Sequence, residues 1–179
     1  DQVAARFSKL QVGSSDMDLD LGPVINKQQK QRVEGYLDRA QKDGLKSCAQ
    51  GRMAPNTPPG GYYVMPTLVG DVPAQHTLAQ EEIFGPVLVA TPFRDEAEAL
   101  SIANGTEYGL VASVWTNDGA RQMRVARGLK AGQVFVNNYG AGGGVELPFG
   151  GVKRSGFGRE KGFEALHGFA ALKTVAVKH

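Results

Sequence analysis

The middle of the chain alternates three apolar segments with two helical ones, and this order limits the folds available to it. Asp95 is placed to cap the first helix, and Asn117 or Asp118 the second. The branched, apolar segments suited to buried strands are residues 86–93, 110–116 and 133–137. Strands joined through helices run parallel, with right-handed crossovers. We therefore expect an α/β fold, with a parallel sheet and helices on its faces.

Further elements flank this centre. Asn26 and Gln29 are placed to cap an earlier helix that ends at Gly44. The apolar face of that helix repeats at helical spacing, through Val33, Tyr36, Leu37 and Ala40. After the centre come a glycine-rich stretch, a short helix near residues 163–167 and a closing strand at residues 174–177. The length of 179 residues suits a single domain.

Composition excludes several classes of function. The net charge of +2 is too small to indicate nucleic-acid binding. The basic residues Arg121, Arg124, Arg127 and Lys130 recur at intervals of three, which fits either a solvated helix face or an anion-binding stripe. No apolar stretch approaches the ~18 residues of a membrane span, and the first residues lack the apolar core of a signal peptide. We expect no membrane or nucleic-acid partner and a cytoplasmic location.

The sequence offers no nucleophile or metal ligand set. Cys48 is the only cysteine, and no histidine lies near it in sequence to favour a reactive thiolate. The histidines, His76, His167 and His179, are scattered without metal-ligand spacing. We expect Cys48 to be inert, no catalytic residue and no metal site.

Two segments carry a resemblance to a known family. Residues 81–87 read EEIFGPV, and residues 148–160 read PFGGVKRSGFGRE. Both resemble signature segments of the NAD(P)-dependent aldehyde dehydrogenase superfamily, and four shorter stretches are similar to that family in consistent order. These stretches are residues 22–25, 61–67, 104–110 and 132–138. The resemblance covers nearly the whole chain and implies the α/β catalytic-domain fold of that family.

The resemblance also assigns roles to individual residues. Glu82 is similar to the glutamate that hydrogen-bonds the ribose on the nicotinamide side of NAD or NADP, and Phe84 to the aromatic residue beside the nicotinamide ring. From the residues alone, a solvated acidic pair and a core aromatic are the alternatives. Residues 138–146 occupy the place of the loop that lines the aldehyde tunnel, where the glycines imply an open entrance. Lys153 and Arg159 are expected to be structural.

The family oxidises an aldehyde to a carboxylic acid through a cysteine thiohemiacetal, and this chain has no Gly-Gln-x-Cys segment to supply the cysteine. We expect residues 1–172 to be the C-terminal part of such a catalytic domain, and residues 173–179 to be an oligomerisation strand. The expected partners are a small-molecule aldehyde and further copies of the chain, and the isolated chain is expected to be inactive. The alternative is a non-catalytic truncated paralogue that acts as a structural or assembly partner.

Overall fold

The computed structural model describes residues 2–140 and 144–179, and it divides into two compact units. The N-terminal unit is Asp1–Pro92 and the C-terminal unit is Phe93–His179. The strands of the two units belong to separate sheets. The predicted domain organisation, with residues 1–172 as one part of a catalytic domain and residues 173–179 as a closing strand, stays a prediction.

The N-terminal unit is built on a three-stranded mixed sheet. Its helices are α1 (Gln2–Phe7), α2 (Lys27–Lys42) and α3 (Thr77–Gln80). Its strands are β1 (Gln11–Val12), β2 (Ser47–Gln50), β3 (Arg52–Met53), β4 (Thr67–Val69) and β5 (Val87–Val89). Strand β4 is central, because it pairs antiparallel with β2 and parallel with β5. Strands β1 and β3 form a separate parallel pair.

Helix α2 contributes one apolar face to the core of this unit. Asn26 begins the helix, because its side chain accepts a hydrogen bond of 2.8 Å from the backbone N of Gln29. Val33 and Ala40 of α2 are buried in one cluster with Val69 of β4. Burying a side chain the size of valine contributes about 1.5 kcal/mol or more to folding. The same cluster includes Val64, Val72, Leu78 and Ile83.

The C-terminal unit contains a parallel strand pair with helical connections. Its elements are α4 (Glu96–Asn104), β6 (Val111–Val114), α5 (Gly119–Gly128), β7 (Gln133–Val136) and α6 (Glu164–Gly168). The predicted cap at Asp95 is confirmed, because its side chain accepts from Glu98 N at 2.8 Å. Of the two alternatives for the second helix, Asn117 and Asp118, the cap is Asp118, whose side chain accepts from Ala120 N at 2.9 Å. Strands β6 and β7 pair in parallel over four residues. The parallel α/β class is therefore confirmed.

The arrangement of the central strands differs from the prediction. Strand β5 pairs with β4, whereas β6 pairs with β7, so the three predicted strands do not form one sheet among the described residues. All three are also shorter than predicted. Helical connections dictate that successive strands are parallel when they share a sheet, but they do not dictate that the strands are neighbours. The central position of β4 was missed for the same reason, because pairing depends on distant parts of the chain.

The end of the chain has no regular secondary structure. The short helix predicted near residues 163–167 is present as α6, but residues 170–179 form neither helix nor strand. The strand predicted at residues 174–177 is therefore not formed within this single chain, because a strand requires a hydrogen-bonded neighbour. Its proposed pairing with another copy remains a prediction. Within the described ranges, no helix is long and apolar enough to span a membrane.

Candidate functional site

The turn that follows helix α3 exposes two side chains and buries the one between them. Ile83 is 7% exposed and belongs to the core, whereas Glu82 is exposed and Phe84 is 71% exposed. The chain therefore buries Ile83 in the core and leaves the side chains before and after it in contact with solvent. Phe84 itself has φ of +58°, a backbone conformation that a bulky residue rarely adopts. The two residues predicted to contact a cofactor are thus both exposed, one on each side of Ile83.

Helix α2 holds the backbone of this turn through its polar side chains. The Gln29 Nε2 group donates to the carbonyl oxygens of Ile83 at 3.1 Å and of Phe84 at 2.8 Å. The Nη2 group of Arg32 donates to the carbonyl oxygen of Glu82 at 2.8 Å. Three successive carbonyl groups of the turn therefore accept hydrogen bonds from two side chains of one helix.

The two neighbouring carboxylates of the turn have different environments. The Tyr36 hydroxyl donates to Glu81 Oε2 at 2.5 Å. This hydrogen bond, together with partial burial, raises the pKa of Tyr36, against the opposing charge of Arg32. The Arg32 guanidinium also lies 5.1 Å from the centre of the Tyr36 ring and donates to its hydroxyl. Within the described residues Glu82 has no such partner, so its carboxylate is available to a ligand.

Gly85 allows the turn to lie close to helix α2. A Cβ atom at this position would overlap Cγ2 of Val33 and lie 3.2 Å from its Cγ1. Val33 is fully buried and packed into the core, so it has little room to move. The glycine of the EEIFGPV segment therefore has a packing role.

Sequence reasoning identified the exposed residues of the turn but missed the residues that hold it. Gln29 was expected to cap helix α2; only its backbone N takes part in the cap, and its side chain bonds the turn instead. Tyr36 was placed on the apolar face, and its hydroxyl was not assigned a partner. Arg32 was not singled out. The available signal was the spacing of Gln29, Arg32 and Tyr36, which places them on one side of a helix.

The second signature segment, residues 148–160, makes backbone contacts within the C-terminal unit. Lys153 Nζ donates to the carbonyl oxygens of Asn104 and Thr106, both at 2.9 Å. Arg159 Nη1 donates to the carbonyl oxygen of Gly151 at 3.0 Å. These bonds agree with the structural roles expected for Lys153 and Arg159. Residues 141–143, on which the expectation of an open aldehyde entrance depends, lie outside the described residues.

The remaining candidates make ordinary local contacts. Cys48 is exposed on β2, and His76 caps α3 and lies 3.1 Å from Asp43 Oδ2. Arg121 and Arg124 both pair with Glu96, which neutralises part of the basic stripe. In the part of the chain that the structure describes, no cluster of His, Cys, Asp and Glu side chains could hold a metal ion.

Comparison with known proteins defines the class to which this fold and turn belong. Residues 1–175 match the profile of the aldehyde dehydrogenase family. The chain belongs to that family, and the predicted resemblance is confirmed.

Individual relatives are similar over nearly the whole chain. The chain is 44% identical over 169 residues to a 2-aminomuconic semialdehyde dehydrogenase of Danio rerio, covering 92% of this chain and 34% of that protein. It is 45% identical over 157 residues to a betaine aldehyde dehydrogenase of Agrobacterium fabrum, covering 88% and 32%. The chain thus spans about a third of the length of these relatives.

Solved structures share the fold. A crystal structure from Burkholderia cenocepacia, assigned as an aldehyde dehydrogenase, has a TM-score of 0.95 and 62% identity, covering 99% of this chain and 37% of that one. A Mycobacterium tuberculosis aldehyde dehydrogenase complexed with NAD+ has a TM-score of 0.83 and 38% identity, covering 93% and 34%. These neighbours support the α/β assignment for both described units.

Proposed function

We propose that this chain is part of an NAD(P)-dependent aldehyde dehydrogenase that oxidises a small aldehyde to a carboxylic acid, and that Glu82 and Phe84 contact the nicotinamide side of the cofactor. The observation that carries the proposal is the turn at residues 81–84. Its backbone is held by helix α2 while the Glu82 and Phe84 side chains are exposed.

The side chains of the turn suit such a ligand. A carboxylate can accept hydrogen bonds from both hydroxyl groups of a ribose. The carboxylate oxygens of Glu82 accept no such bond from the described residues, so both can accept one from a ligand. The exposed Phe84 ring offers an apolar face to a planar ring and limits the access of water. A bound nicotinamide would accept the hydride that leaves the aldehyde carbon. The engagement of Glu81 by Tyr36 leaves Glu82 as the ligand-facing carboxylate of the pair.

We further propose that these 179 residues oxidise no aldehyde by themselves. The overall reaction consumes an aldehyde, water and oxidised cofactor, and it yields a carboxylate, reduced cofactor and two protons. In this family a thiolate adds to the carbonyl carbon and hydrolysis later breaks the resulting thioester. Cys48 is the only thiol of the chain, and it lies on β2 in Leu-Lys-Ser-Cys-Ala-Gln-Gly rather than in a Gly-Gln-x-Cys segment.

The test uses the full-length polypeptide that carries these residues, with reduced-cofactor absorbance as the readout. Glu82→Gln should raise the KM for NAD(P) by about tenfold or more, since hydrogen bonds to a charged group contribute about 1.5–3 kcal/mol. Glu34→Gln is the matched control, because Glu34 is exposed on α2 and makes only a 3.7 Å ion pair with Lys30. Equal KM values for the two variants would refute the assignment of Glu82. Aldehyde oxidation by the 179-residue chain would refute its proposed inactivity.

One observation favours the non-catalytic assembly role as a second candidate. Several large apolar side chains near the end of the chain are strongly exposed: Phe157, Phe163, Phe169 and Leu172. Exposed apolar surface of this kind indicates a contact with another protein surface. A chain that assembles with longer subunits and never turns over an aldehyde in any assembly would support this second candidate.

A further inference from the structure

We propose that His76 is a positioning residue for the cofactor, acting through its bridge to Asp43 rather than by touching the ligand. The bridge anchors one end of the segment at residues 76–84, and the other end of that segment carries Glu82 and Phe84. The inference rests on the proposed function, because it assumes that those two side chains face the nicotinamide side. What it adds is a second anchor for them, at the end of α2 remote from the turn.

The segment at residues 76–84 runs along helix α2 in the opposite direction to the helix. Its contacts follow one order along the helix, from Asp43 with His76, through Tyr36 with Glu81 and Arg32 with the Glu82 carbonyl oxygen, to Gln29 with the Phe84 carbonyl oxygen. Helix positions 29 and 43 are about 21 Å apart, at 1.5 Å per residue. The bonds at the two ends therefore restrain both the direction and the register of the segment.

The imidazole ring of His76 uses both of its nitrogen atoms. Nδ1 accepts a hydrogen bond of 3.1 Å from the backbone N of Leu78, which caps α3. That bond requires an Nδ1 without a proton, so the hydrogen-bond pattern assigns the ring proton to Nε2. Nε2 then donates to Asp43 Oδ2 at 3.1 Å. One side chain therefore joins the start of α3 to the end of α2.

Helix α3 is too short to be stable without such contacts. It has four residues, and isolated helices of that length do not persist in water. Leu78 is buried and anchors α3 to the core, but a single buried side chain leaves the helix able to rotate about that contact. The bridge from His76 provides a second fixed point. Without it, α3 and the residues that follow it can shift along α2.

The position of Asp43 is unfavourable for helix α2 itself. Asp43 is the C-cap residue, and the C-terminal end of a helix carries a partial negative charge that repels a carboxylate. Its side chain bonds no group other than His76 among residues 2–140 and 144–179. The Asp43 side chain is 51% exposed, whereas that of His76 is 15% exposed. Asp43 can therefore be replaced without disturbing the core.

The bridge can be removed and restored by substitutions of Asp43. Asp43→Ala deletes the acceptor, whereas Asp43→Asn keeps an oxygen that can accept from Nε2 of His76. Asp38→Ala is the matched control, because Asp38 is an exposed residue of α2 whose side chain has no bond within the part of the chain that the structure describes. Loss of a negative charge is then common to both alanine variants.

The first measurement is hydrogen exchange in the full-length protein, over a peptide covering residues 77–84. Four backbone amides of this peptide donate hydrogen bonds, those of Leu78, Ala79, Gln80 and Glu81. We expect exchange there to be about threefold faster in Asp43→Ala than in the wild type, since one hydrogen bond of ordinary net strength corresponds to that factor. Asp43→Asn and Asp38→Ala should match the wild type. Equal exchange in the two alanine variants would overturn the proposal.

The second measurement is steady-state kinetics of the same variants. We expect the KM for NAD(P) to rise about threefold in Asp43→Ala and to return to the wild-type value in Asp43→Asn. The KM for the aldehyde should be unchanged, because only the cofactor-facing segment loosens. A merely structural role would lower the active fraction and leave both KM values unaltered. Faster exchange with an unchanged cofactor KM would therefore overturn the positioning role.

A double-mutant cycle tests whether the contact itself is the cause. His76→Asn keeps a side-chain oxygen that can cap α3, but the shorter side chain does not reach Asp43. It should raise the cofactor KM by the same factor as Asp43→Ala, and the double variant should be no worse than either single variant. Effects that multiply in the double variant would overturn the role of the bridge. A wild-type protein that uses neither NAD nor NADP would refute the proposed function, and the exchange result would still decide whether the bridge holds the segment.

Discussion

Replacing Gly132 by alanine should strongly destabilise the C-terminal unit. Gly132 lies just before β7, and its backbone N donates to the carbonyl oxygen of Gly109 at 3.0 Å. A Cβ atom on Gly132 would overlap the carbonyl oxygen of Gly150, and it would lie 2.7 Å from the carbonyl carbon of that residue. The atoms it meets belong to the backbone, so they cannot yield by a change of rotamer.

The cost can be estimated from what must move. The backbone near Gly150 must shift away to make room for the methyl group of alanine, and overpacking of this kind costs about 1–3 kcal/mol. The shift also strains the bond of 2.9 Å from Gln133 Nε2 to the carbonyl oxygen of Pro148, and a lost hydrogen bond costs about 1 kcal/mol. We expect a loss of about 3 kcal/mol in the free energy of unfolding. In a chain of this length that corresponds to a fall of about 6–12 °C in Tm.

Urea unfolding followed by tryptophan fluorescence measures this effect. Trp115 is the only tryptophan, and it lies in the C-terminal unit between β6 and α5. Gly119→Ala is the matched control, because Gly119 is the first residue of α5 and a Cβ there meets no atom within 4 Å. Alanine is the better helix former, so the control should be neutral or stabilising by up to about 1 kcal/mol. Equal unfolding midpoints for the two variants would refute the reasoning from close approach.

Three further predictions concern other parts of the chain. Asn26→Ala should lower the free energy of unfolding of the N-terminal unit by about 1 kcal/mol, because the α2 cap is lost. Circular dichroism during urea unfolding measures this, and equal midpoints for the variant and the wild type would contradict it. Hydrogen bonds from Arg124, and to a smaller extent from Arg121, hold the pKa of Glu96 below its ordinary value of 4.5. The stability that this cluster contributes should be fully present above pH 4.5 and should be lost as the pH falls through the lower pKa that Glu96 has in the folded state. Glu96→Gln should flatten that part of the pH profile, and an unaltered profile would contradict the assignment. The exposed apolar side chains near the end of the chain should make it oligomeric at micromolar concentration, whereas a monomeric mass by light scattering would count against this.

Features determined by neighbouring residues were predictable from the sequence. The caps at Asn26 and Asp95 were identified correctly, and Asp118 was one of two alternatives, because a cap needs only a short polar side chain followed by a helical pattern. The type and order of the central elements followed from the same local patterns, which is why the parallel α/β class was correct. Boundaries were less accurate: the predicted strand extends to residue 93, whereas β5 ends at Val89, although the backbone N of Ala90 still donates to the carbonyl oxygen of Val69.

Features determined by distant residues were not predictable in the same way. Residues 86–93 were assigned to one sheet with the next two strands, yet β5 pairs with β4 from an earlier part of the chain. The closing segment at residues 174–177 has a strand-like sequence but no hydrogen-bonded partner within the chain. Both differences arise because a strand pattern specifies conformation and burial but does not name the neighbouring strand.

The turn at residues 81–84 shows how a single local pattern can have a structural and a ligand-facing consequence. Burial of Ile83 anchors the turn to the core, while the Glu82 and Phe84 side chains on either side of it stay exposed. The hydrogen bonds from Gln29 and Arg32 add what burial of one side chain cannot provide, because they restrict rotation of the peptide groups about the Ile83 anchor. The EEIFGPV segment on its own therefore indicates which side chains face outward. How firmly they are held depends on side chains 50 to 55 residues earlier in the chain, on helix α2.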